Sequence, residues 1–311
     1  MPLRVAVLAG GVGAARFLEG LVRVVPAENV TVIGNTGDDL ELHGLTICPD
    51  LDTVTYTLAG LSDPERGWGL ADESFHTLEA LRRFSEETWF QLGDRDLATH
   101  IFRSSLLRGG FPLSEVTARV TRALGVASTI LPMSDNTVRT WLDTDIGQLD
   151  FQTYFVKNRS APTVHAVEFV GVDQASPAPG VLEAITQADA VIIAPSNPII
   201  SVGPILAVPG IRDALRETPA PVAAVSPIVG GQAVKGPAAA MMTSLGHGAS
   251  ATAVAGLYKD FLNVFVLDDV DRDSKAAVEQ QGMRAVVCPT MMTGMVEKEA
   301  LARVVMEALT S

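Results

Sequence analysis

Six short, continuous hydrophobic runs constrain the fold of this chain more than any other feature. The runs are rich in β-branched residues and occupy positions 4–8, 30–34, 190–194, 222–226, 264–267 and 285–288. Strands that are apolar at successive positions, and not only at alternate ones, are covered on both faces, as in parallel sheets flanked by helices. Segments with helical periodicity follow the first run, at 17–25, and close the chain, at 297–309. The sequence therefore predicts an α/β fold with a Rossmann-like, doubly wound and mostly parallel sheet.

The middle of the chain departs from this pattern. Residues 61–125 have helical periodicity and are richer in Trp and Arg, whereas residues 136–159 alternate between apolar and polar side chains around a turn, which predicts an antiparallel hairpin. A chain of 311 residues suits one large domain that carries a smaller lobe. We interpret residues 61–164 as an inserted α+β lobe and residues 1–60 and 165–311 as the nucleotide-binding core.

Charge and composition exclude several functional classes. A formal net charge of -13 disfavours binding to nucleic acid or to an anionic membrane, because both partners require a basic face. The first residues read as a strand, a turn and a helix, and no apolar stretch is long enough to span a bilayer, so we expect a cytoplasmic protein. Cys48 and Cys288 lack the spacing of a disulfide framework or a zinc site.

The first candidate site is the turn Gly10-Gly11-Val12-Gly13, which joins the first predicted strand to a helix. Glycines allow a phosphate to approach the backbone, and the free N–H groups at a helix N-terminus favour an anion. The turn is neither a G-x-G-x-x-G fingerprint nor a P-loop, and a tight turn without a ligand is the alternative. Its position at the carboxyl end of the first strand favours the ligand hypothesis.

Polar residues follow the second predicted strand. The segment Asn35-Thr36-Gly37-Asp38-Asp39 comes directly after it, and Asp50 and Asp52 stand in the segment PDLDT before a helical pattern. Carboxylates at the carboxyl edge of one sheet suit a hard cation such as Mg²⁺, which takes one or two carboxylates and completes its shell with water and phosphate oxygens. The alternative is that the aspartates only cap the following helix.

The segment LGDRD opens another predicted helix. Arg95 offers a planar fork suited to phosphate or to the carbonyl edge of a flavin-like ring. Asp96, His100 and Arg103 follow at spacings that place them on one helical face. A solvated salt bridge in the first turn is the alternative interpretation.

Two more polar loops leave predicted strands. Their candidate ligand-binding residues are Ser196, Asn197, Ser201 and Gly203 in the first loop and Gly230 in the second. Prolines stiffen both loops, which suits recognition of a base or a phosphate. Since the carboxyl ends of parallel strands meet at one crevice, we predict a single nucleotide site there.

Six ordered segments identify a family resemblance. They are GGVGAARFLEGL, NTGDDLELHGLTICPDLDTVTYTLAG, LGDRDLATHIFRSSLLRGG, LPMSDNTVRTWL, PSNPIISVGPILAVPGIRDAL and SPIVGGQAVKGPA. In this order they resemble the 2-phospho-L-lactate transferase family (CofD/FbiA) of coenzyme F-420 biosynthesis, over essentially the whole chain.

The resemblance implies a homodimeric, Mg²⁺-dependent transferase. Such an enzyme moves a phospholactyl or phosphoenolpyruvyl group from a guanosine-diphosphate-linked donor to 7,8-didemethyl-8-hydroxy-5-deazariboflavin and releases GMP. By position, Asp50 and Arg95 match the residues that hold the deazaflavin, to whose site the inserted lobe contributes, and Asp50 is the expected catalytic group. The hypothesis for the metal is Asp50 with Asp52 or Asn35. The glycine turn and the two polar loops would cradle the guanosine diphosphate.

Two other functions stay open at this point. A nucleotide-sugar-binding regulator of the same superfamily would use the same crevice without turnover. A nicotinamide dehydrogenase is disfavoured, because the glycine fingerprint is imperfect and no acidic residue closes the second strand.

Overall fold

A computed structural model describes residues 3–84 and 88–310 and confirms the α/β fold. Its strands are β1 (Val5–Ala9), β2 (Val30–Gly34), β3 (Leu40–Leu42), β4 (Leu45–Ile47), β5 (Thr129–Pro132), β6 (Arg139–Thr144), β7 (Gly147–Asp150), β8 (Val164–Val170), β9 (Ala190–Ile193), β10 (Val222–Val225), β11 (Ile228–Val229), β12 (Gln232–Ala233), β13 (Val264–Leu267) and β14 (Arg284–Val287). Its α-helices are α1 (Gly11–Val24), α2 (Pro49–Leu58), α3 (His76–Leu81), α4 (Asp96–Arg108), α5 (Leu113–Ala123), α6 (Val181–Thr186), α7 (Val202–Ala207), α8 (Ile211–Glu217), α9 (Ala238–Ser244), α10 (Ala251–Leu257), α11 (Lys275–Glu279) and α12 (Met295–Thr310).

The central sheet contains seven parallel strands in the order β14-β13-β10-β9-β1-β2-β5. All six predicted strands belong to it, each within one residue of its predicted bounds. Buried hydrophobic side chains cover both of its faces, one layer beneath α1, α2 and α12 and the other beneath α6, α7, α8 and α10. This double cover explains why the strands are apolar throughout.

The seventh strand, β5, was not predicted from the sequence. It is short, lies at the edge of the sheet and pairs with β2, Val32 opposite Ile130. It also comes from the span interpreted as the inserted lobe, so that span supplies one strand to the core sheet. The predicted hairpin is confirmed: β6 and β7 are antiparallel, and β8 extends them into a separate three-stranded sheet.

Helix α1 begins directly in the glycine turn, six residues before the predicted start. It packs against α12, and a Cβ atom on Gly20 would lie 2.3 Å from the carbonyl oxygen of Lys298. The glycine therefore allows the two helix backbones to approach more closely than any side chain permits. No helix in the described part of the chain has the length and apolar character needed to cross a membrane.

Replacing Gly20 by Ala is expected to lower the free energy of unfolding by about 1 to 3 kcal/mol, because overpacking outweighs the gain of about 1 kcal/mol in helix propensity. Urea denaturation measures this difference. Gly256→Ala in α10 is the matched control, since a Cβ atom there meets only the flexible end of Gln281, at 3.3 Å. An unchanged or higher stability for the Gly20 variant would show that the helices can separate without cost.

Candidate active site

A cavity of about 630 Å³ opens at the carboxyl edge of the central sheet. The glycine turn, the first turn of α2, and the loops after β9 and β10 all line it, as expected from the parallel topology. The predicted site residues that line it are Gly10, Gly11, Gly13, Asp50, Asp52, Ser196, Asn197 and Ser201. The side-chain Nδ2 of Asn197 is buried and has no hydrogen-bond partner in the described structure, so it is available to a ligand.

Asp50 lies at the centre of this arrangement. Its side chain is 8% exposed, and its Oδ2 atom accepts a hydrogen bond of 2.9 Å from Asn35 Nδ2. Burial raises the pKa of Asp50 to about 6, while Asn35 and the backbone N–H of Gly11 act in the opposite direction. The N-cap position of α2 belongs to Cys48, and no side chain caps the helix. Asp50 therefore does not serve as a cap, and a buried carboxylate faces the cavity.

Asp38, which belongs to the candidate segment after the second strand but not to the three residues predicted to hold the metal, also lines the cavity. It is 4% exposed, and its Oδ1 atom is buried without a hydrogen-bond partner. Burial, and next the charge of Asp50, raise its pKa well above the ordinary value. Two neighbouring buried carboxylates repel each other when both are ionised, so this pair favours a cation or a shared proton.

Asp52 forms an ion pair with a buried arginine. Its two carboxylate oxygens pair with the guanidinium of Arg103, which donates from Nη1 to Oδ2 at 3.0 Å and from Nη2 to Oδ1. Both side chains are buried, and the neighbouring carboxylate raises the pKa of Arg103 although burial opposes this. The expected role of Asp52 as a metal ligand thus conflicts with an ion pair that already satisfies its charge.

The helical face predicted for α4 is present but buried. His100 lies between two carboxylates, with Nδ1 3.7 Å from Asp52 Oδ2 and Nε2 3.3 Å from Asp96 Oδ2. The hydroxyl of Tyr56 donates to Asp96 Oδ1 at 2.5 Å. Tyr56 and His100 are buried, and these groups form a network at the floor of the cavity. The alternative of a solvated salt bridge concerns Arg95 in the first turn, which this network does not test.

Four predicted site residues do not line the cavity. Asn35 is fully buried behind Asp50, and its Oδ1 accepts the N–H of Gly37 at 2.8 Å. The exposed Arg95 donates from Nη1 to the carbonyl of Ala71 at 2.7 Å. The other two residues are Gly203, where a Cβ atom would meet the ring of Phe169, and Gly230, whose N–H donates to Asp271.

An aromatic wall, missed in the sequence analysis, lines the side of the cavity formed by residues 61–164. It consists of Trp68, Trp89, Phe90, Phe151 and Phe155. The rings of Phe151 and Phe155 stack 5.3 Å apart, and those of Trp89 and Phe90 meet edge to face at 5.8 Å. Such a wall suits a flat heteroaromatic ligand. The rings are scattered along the sequence, and no local pattern marks them as one surface.

The described part of the chain offers few side chains that could bind a metal ion together. Within residues 3–84 and 88–310 no group of three or more His, Cys, Asp or Glu side chains has the geometry of a metal site. The pair Asp38 and Asp50 nevertheless fits Mg²⁺, which binds through one or two carboxylates and the phosphate oxygens of a substrate. The unpartnered Oδ1 of Asp38 is the observation that supports this fit.

Known transferases are similar to this chain over nearly its whole length. A family model described as 2-phospho-L-lactate transferase CofD matches residues 5–307. A phosphoenolpyruvate transferase of Streptomyces coelicolor is 46% identical over 99% of this chain and 98% of its own length. A 2-phospho-L-lactate transferase of Methanosarcina mazei is 41% identical over 97% of this chain and 99% of its own.

Solved structures show a similar fold. A UPF0052-family protein of Bacillus halodurans superposes with a TM-score of 0.68 at 16% identity, over 98% of this chain and 99% of its own. At this identity the likeness concerns the fold alone.

Proposed function

Because the chain belongs to the 2-phospho-L-lactate transferase CofD family, we propose that it completes a deazaflavin cofactor of the coenzyme F-420 type. It transfers a phospholactyl or phosphoenolpyruvyl group from the corresponding guanosine-diphosphate donor to 7,8-didemethyl-8-hydroxy-5-deazariboflavin and releases GMP. The similarity to transferases of both names over the full chain carries this proposal. The homodimer implied by the family resemblance and the cytoplasmic location expected from the sequence are part of it.

In the proposed reaction the terminal ribitol hydroxyl of the deazaflavin attacks the phosphorus distal to guanosine. A new P–O bond forms to the ribitol oxygen, the bridging P–O bond to GMP breaks, and the hydroxyl loses its proton. Such a displacement requires mainly positioning and neutralisation of charge. Asp50 orients the hydroxyl and accepts its proton; its pKa of about 6 in the metal-free protein means that it is mostly ionised at neutral pH.

Asp38 and Asp50 would hold the Mg²⁺ ion, with Asn35 orienting Asp50 from behind. When bound there, the ion neutralises the two carboxylates and the charge of the diphosphate. This assignment replaces Asp52 by Asp38, since the Arg103 guanidinium satisfies Asp52.

The aromatic wall supports the proposed acceptor. A tricyclic deazaflavin can stack on these rings and thereby direct its ribitol chain towards Asp50. Arg95 lies outside the cavity lining, so its contact with the acceptor stays a prediction.

Magnesium chloride is expected to raise the unfolding temperature at about pH 8 and to change it little near pH 5, because the cation binds only deprotonated carboxylates. Near pH 5 Asp50, with its pKa of about 6, and Asp38, whose pKa is also raised, are largely protonated. Differential scanning calorimetry measures the shift. Asp38→Asn should remove it, whereas the exposed control Asp173→Asn should not. An equal shift at both pH values would contradict the assignment.

Product analysis tests the proposed function. Purified protein is incubated with the deazaflavin, Mg²⁺ and either the lactyl or the enolpyruvyl donor, and the products are identified by mass spectrometry. A deazaflavin product that carries the phospho-acid confirms the transferase, and its mass names the donor, because the two acids differ by two hydrogen atoms. Tight binding of a nucleotide sugar without any product would instead support the regulator, an alternative that receives no support from the named relatives.

A further inference from the structure

The N-terminus of α1 is already occupied by a carboxylate. A Cβ atom on Gly10 would lie 2.7 Å from Asp50 Oδ2, and one on Gly11 would lie 3.6 Å from Asp50 Oδ1. Burial raises the pKa of Asp50, and the Gly11 backbone N–H opposes this rise by a hydrogen bond to the carboxylate. Because Asp50 takes the place that a phosphate was expected to fill, the negative charge of the donor must be met by other groups as well.

Two cations meet at one point of the cavity lining. Arg16 and Lys235 are the only arginine and lysine among the described residues that line the cavity. They approach the same point from different elements, Arg16 from α1 and Lys235 from the segment between β12 and α9. A Cβ atom on Gly67 would lie 3.6 Å from Lys235 Nζ and 3.7 Å from Arg16 Nη2.

Neither cation has a carboxylate partner in the described part of the chain. No ion pair within 4.0 Å involves either side chain, although acidic residues outnumber basic ones in this protein. Lys235 Nζ donates to the carbonyl oxygen of Arg66 at 2.8 Å. Partial desolvation, and next the charge of Arg16, lower the pKa of Lys235, although much of its side chain is exposed. Two unneutralised cations beside each other are unfavourable until an anion binds between them.

The strand order separates Lys235 from Asp50. Asp50 belongs to the elements that follow β2, and Lys235 belongs to those that follow β10, with β1 and β9 between these strands in the sheet. Arg16 belongs to α1, which follows β1. In an in-line displacement the attacking and leaving oxygens lie on opposite sides of the phosphorus. If Asp50 holds the attacking hydroxyl, a group beyond the glycine turn faces the phosphate that leaves.

We propose that Arg16 and Lys235 form a binding site for the guanosine-bearing phosphate of the donor, which departs as the phosphate of GMP. This assignment rests on the proposed function. The pair neutralises the charge that develops on that phosphate as the bridging bond breaks. It also explains why the free protein keeps two like charges together at the rim.

The test is calorimetric titration of GMP, GDP and guanosine into Arg16→Gln and Lys235→Met. Each variant is expected to bind GMP about ten- to a hundredfold more weakly and guanosine equally well, because a charged hydrogen bond to phosphate is lost. Lys235→Arg keeps the charge and should remain within a few-fold of the parent. The same variants should lower kcat of the transfer reaction, since the interaction strengthens as the leaving group gains charge.

Matched controls separate this effect from net charge and folding. Arg23→Gln, on the exposed side of α1, and Lys259→Met each remove one exposed positive charge and should leave GMP affinity unchanged. Arg16→Gln relieves repulsion with Lys235, so its unfolding temperature should be equal to or above that of the parent.

Each outcome decides the assignment. GMP affinity unchanged in both variants overturns it. If the variants bind GDP more weakly but GMP normally, the assignment is overturned, because the two cations then bind the distal phosphate. If the variants raise the KM for the donor but bind both nucleotides normally, the assignment is overturned, because the cations then bind the donor carboxylate. If the parent protein converts donor and acceptor to product and both variants bind GMP as the parent does, this inference is refuted while the proposed function stands. A parent protein that binds no guanine nucleotide refutes the proposed function and the inference together.

Discussion

Replacing Asp50 by Asn is expected to reduce the rate of the transfer reaction by about 100- to 10,000-fold, the usual contribution of a positioned general base. Asn keeps the size of the side chain and can still accept the hydrogen bond from Asn35, but it cannot take a proton from the ribitol hydroxyl. It also removes the charge of Asp50 from the pair of carboxylates that Asp50 forms with Asp38. Single-turnover kinetics with saturating donor and deazaflavin measure the chemical step directly.

The same Asp50→Asn substitution should raise the free energy of unfolding although it lowers the rate. The unfolded Asp50 ionises near its ordinary pKa, whereas the folded residue ionises at about 6. A raised pKa means that stability is lost as the pH rises from about 4 through 6, so the parent carries this cost at neutral pH and the Asn variant does not. In the absence of Mg²⁺ the variant is expected to be about 1 to 3 kcal/mol more stable at pH 8. A buried carboxylate that costs stability is the expected signature of a functional group.

The exposed Asp173→Asn variant serves as the control for both measurements, and it should match the parent in rate and stability. An Asp50→Asn enzyme with the full parental rate would remove Asp50 from the mechanism. A variant that is inactive and also strongly destabilised would indicate that Asp50 is needed for folding.

Replacing Arg103 by Met is expected to lower the free energy of unfolding by about 3 to 5 kcal/mol, because it leaves the buried carboxylate of Asp52 without a partner. Arg103 is 3% exposed, donates two hydrogen bonds to Asp52 and a third to the carbonyl of Thr46 at 3.4 Å, and lies 3.3 Å from His100 Nδ1. Methionine can fill much of the space but satisfies none of these groups. Chemical denaturation monitored by circular dichroism provides the measurement.

A second substitution distinguishes charge from packing. Asp52→Leu combined with Arg103→Met removes both charges, and the double variant should recover much of the lost stability. Arg108→Met, on the exposed side of the same helix, should cost less than about 1 kcal/mol. Equal destabilisation in the single and double variants would show that the ion pair itself contributes little and that packing around Arg103 decides the effect.

The Asp52–Arg103 ion pair explains why the sequence could place aspartates at the site but could not tell which of them faces the cavity. Asp50 and Asp52 are two residues apart in one helical turn and have the same local pattern. Only the packing of α4 against β4 and α2 brings Arg103 to one of them and leaves the other to the cavity. The sequence places Asp38 in a candidate segment but could not choose it as a metal ligand for the same reason, since its importance comes from its proximity to Asp50 and from its unpartnered oxygen.

The sequence by itself determined the α/β class, the six strands with apolar runs and the meeting of the glycine turn, the PDLDT segment and the polar loops at one edge of the sheet. These features depend on local periodicity and on the rule that parallel strands present their carboxyl ends together. The tertiary structure alone decided that Asp50 fills the N-terminus of α1, that Arg103 neutralises Asp52, that scattered aromatic rings form one wall, and that Arg16 meets Lys235. The physical reason is that the partner of a charge or a ring is set by distances between residues far apart in the chain, about which a local pattern carries no information.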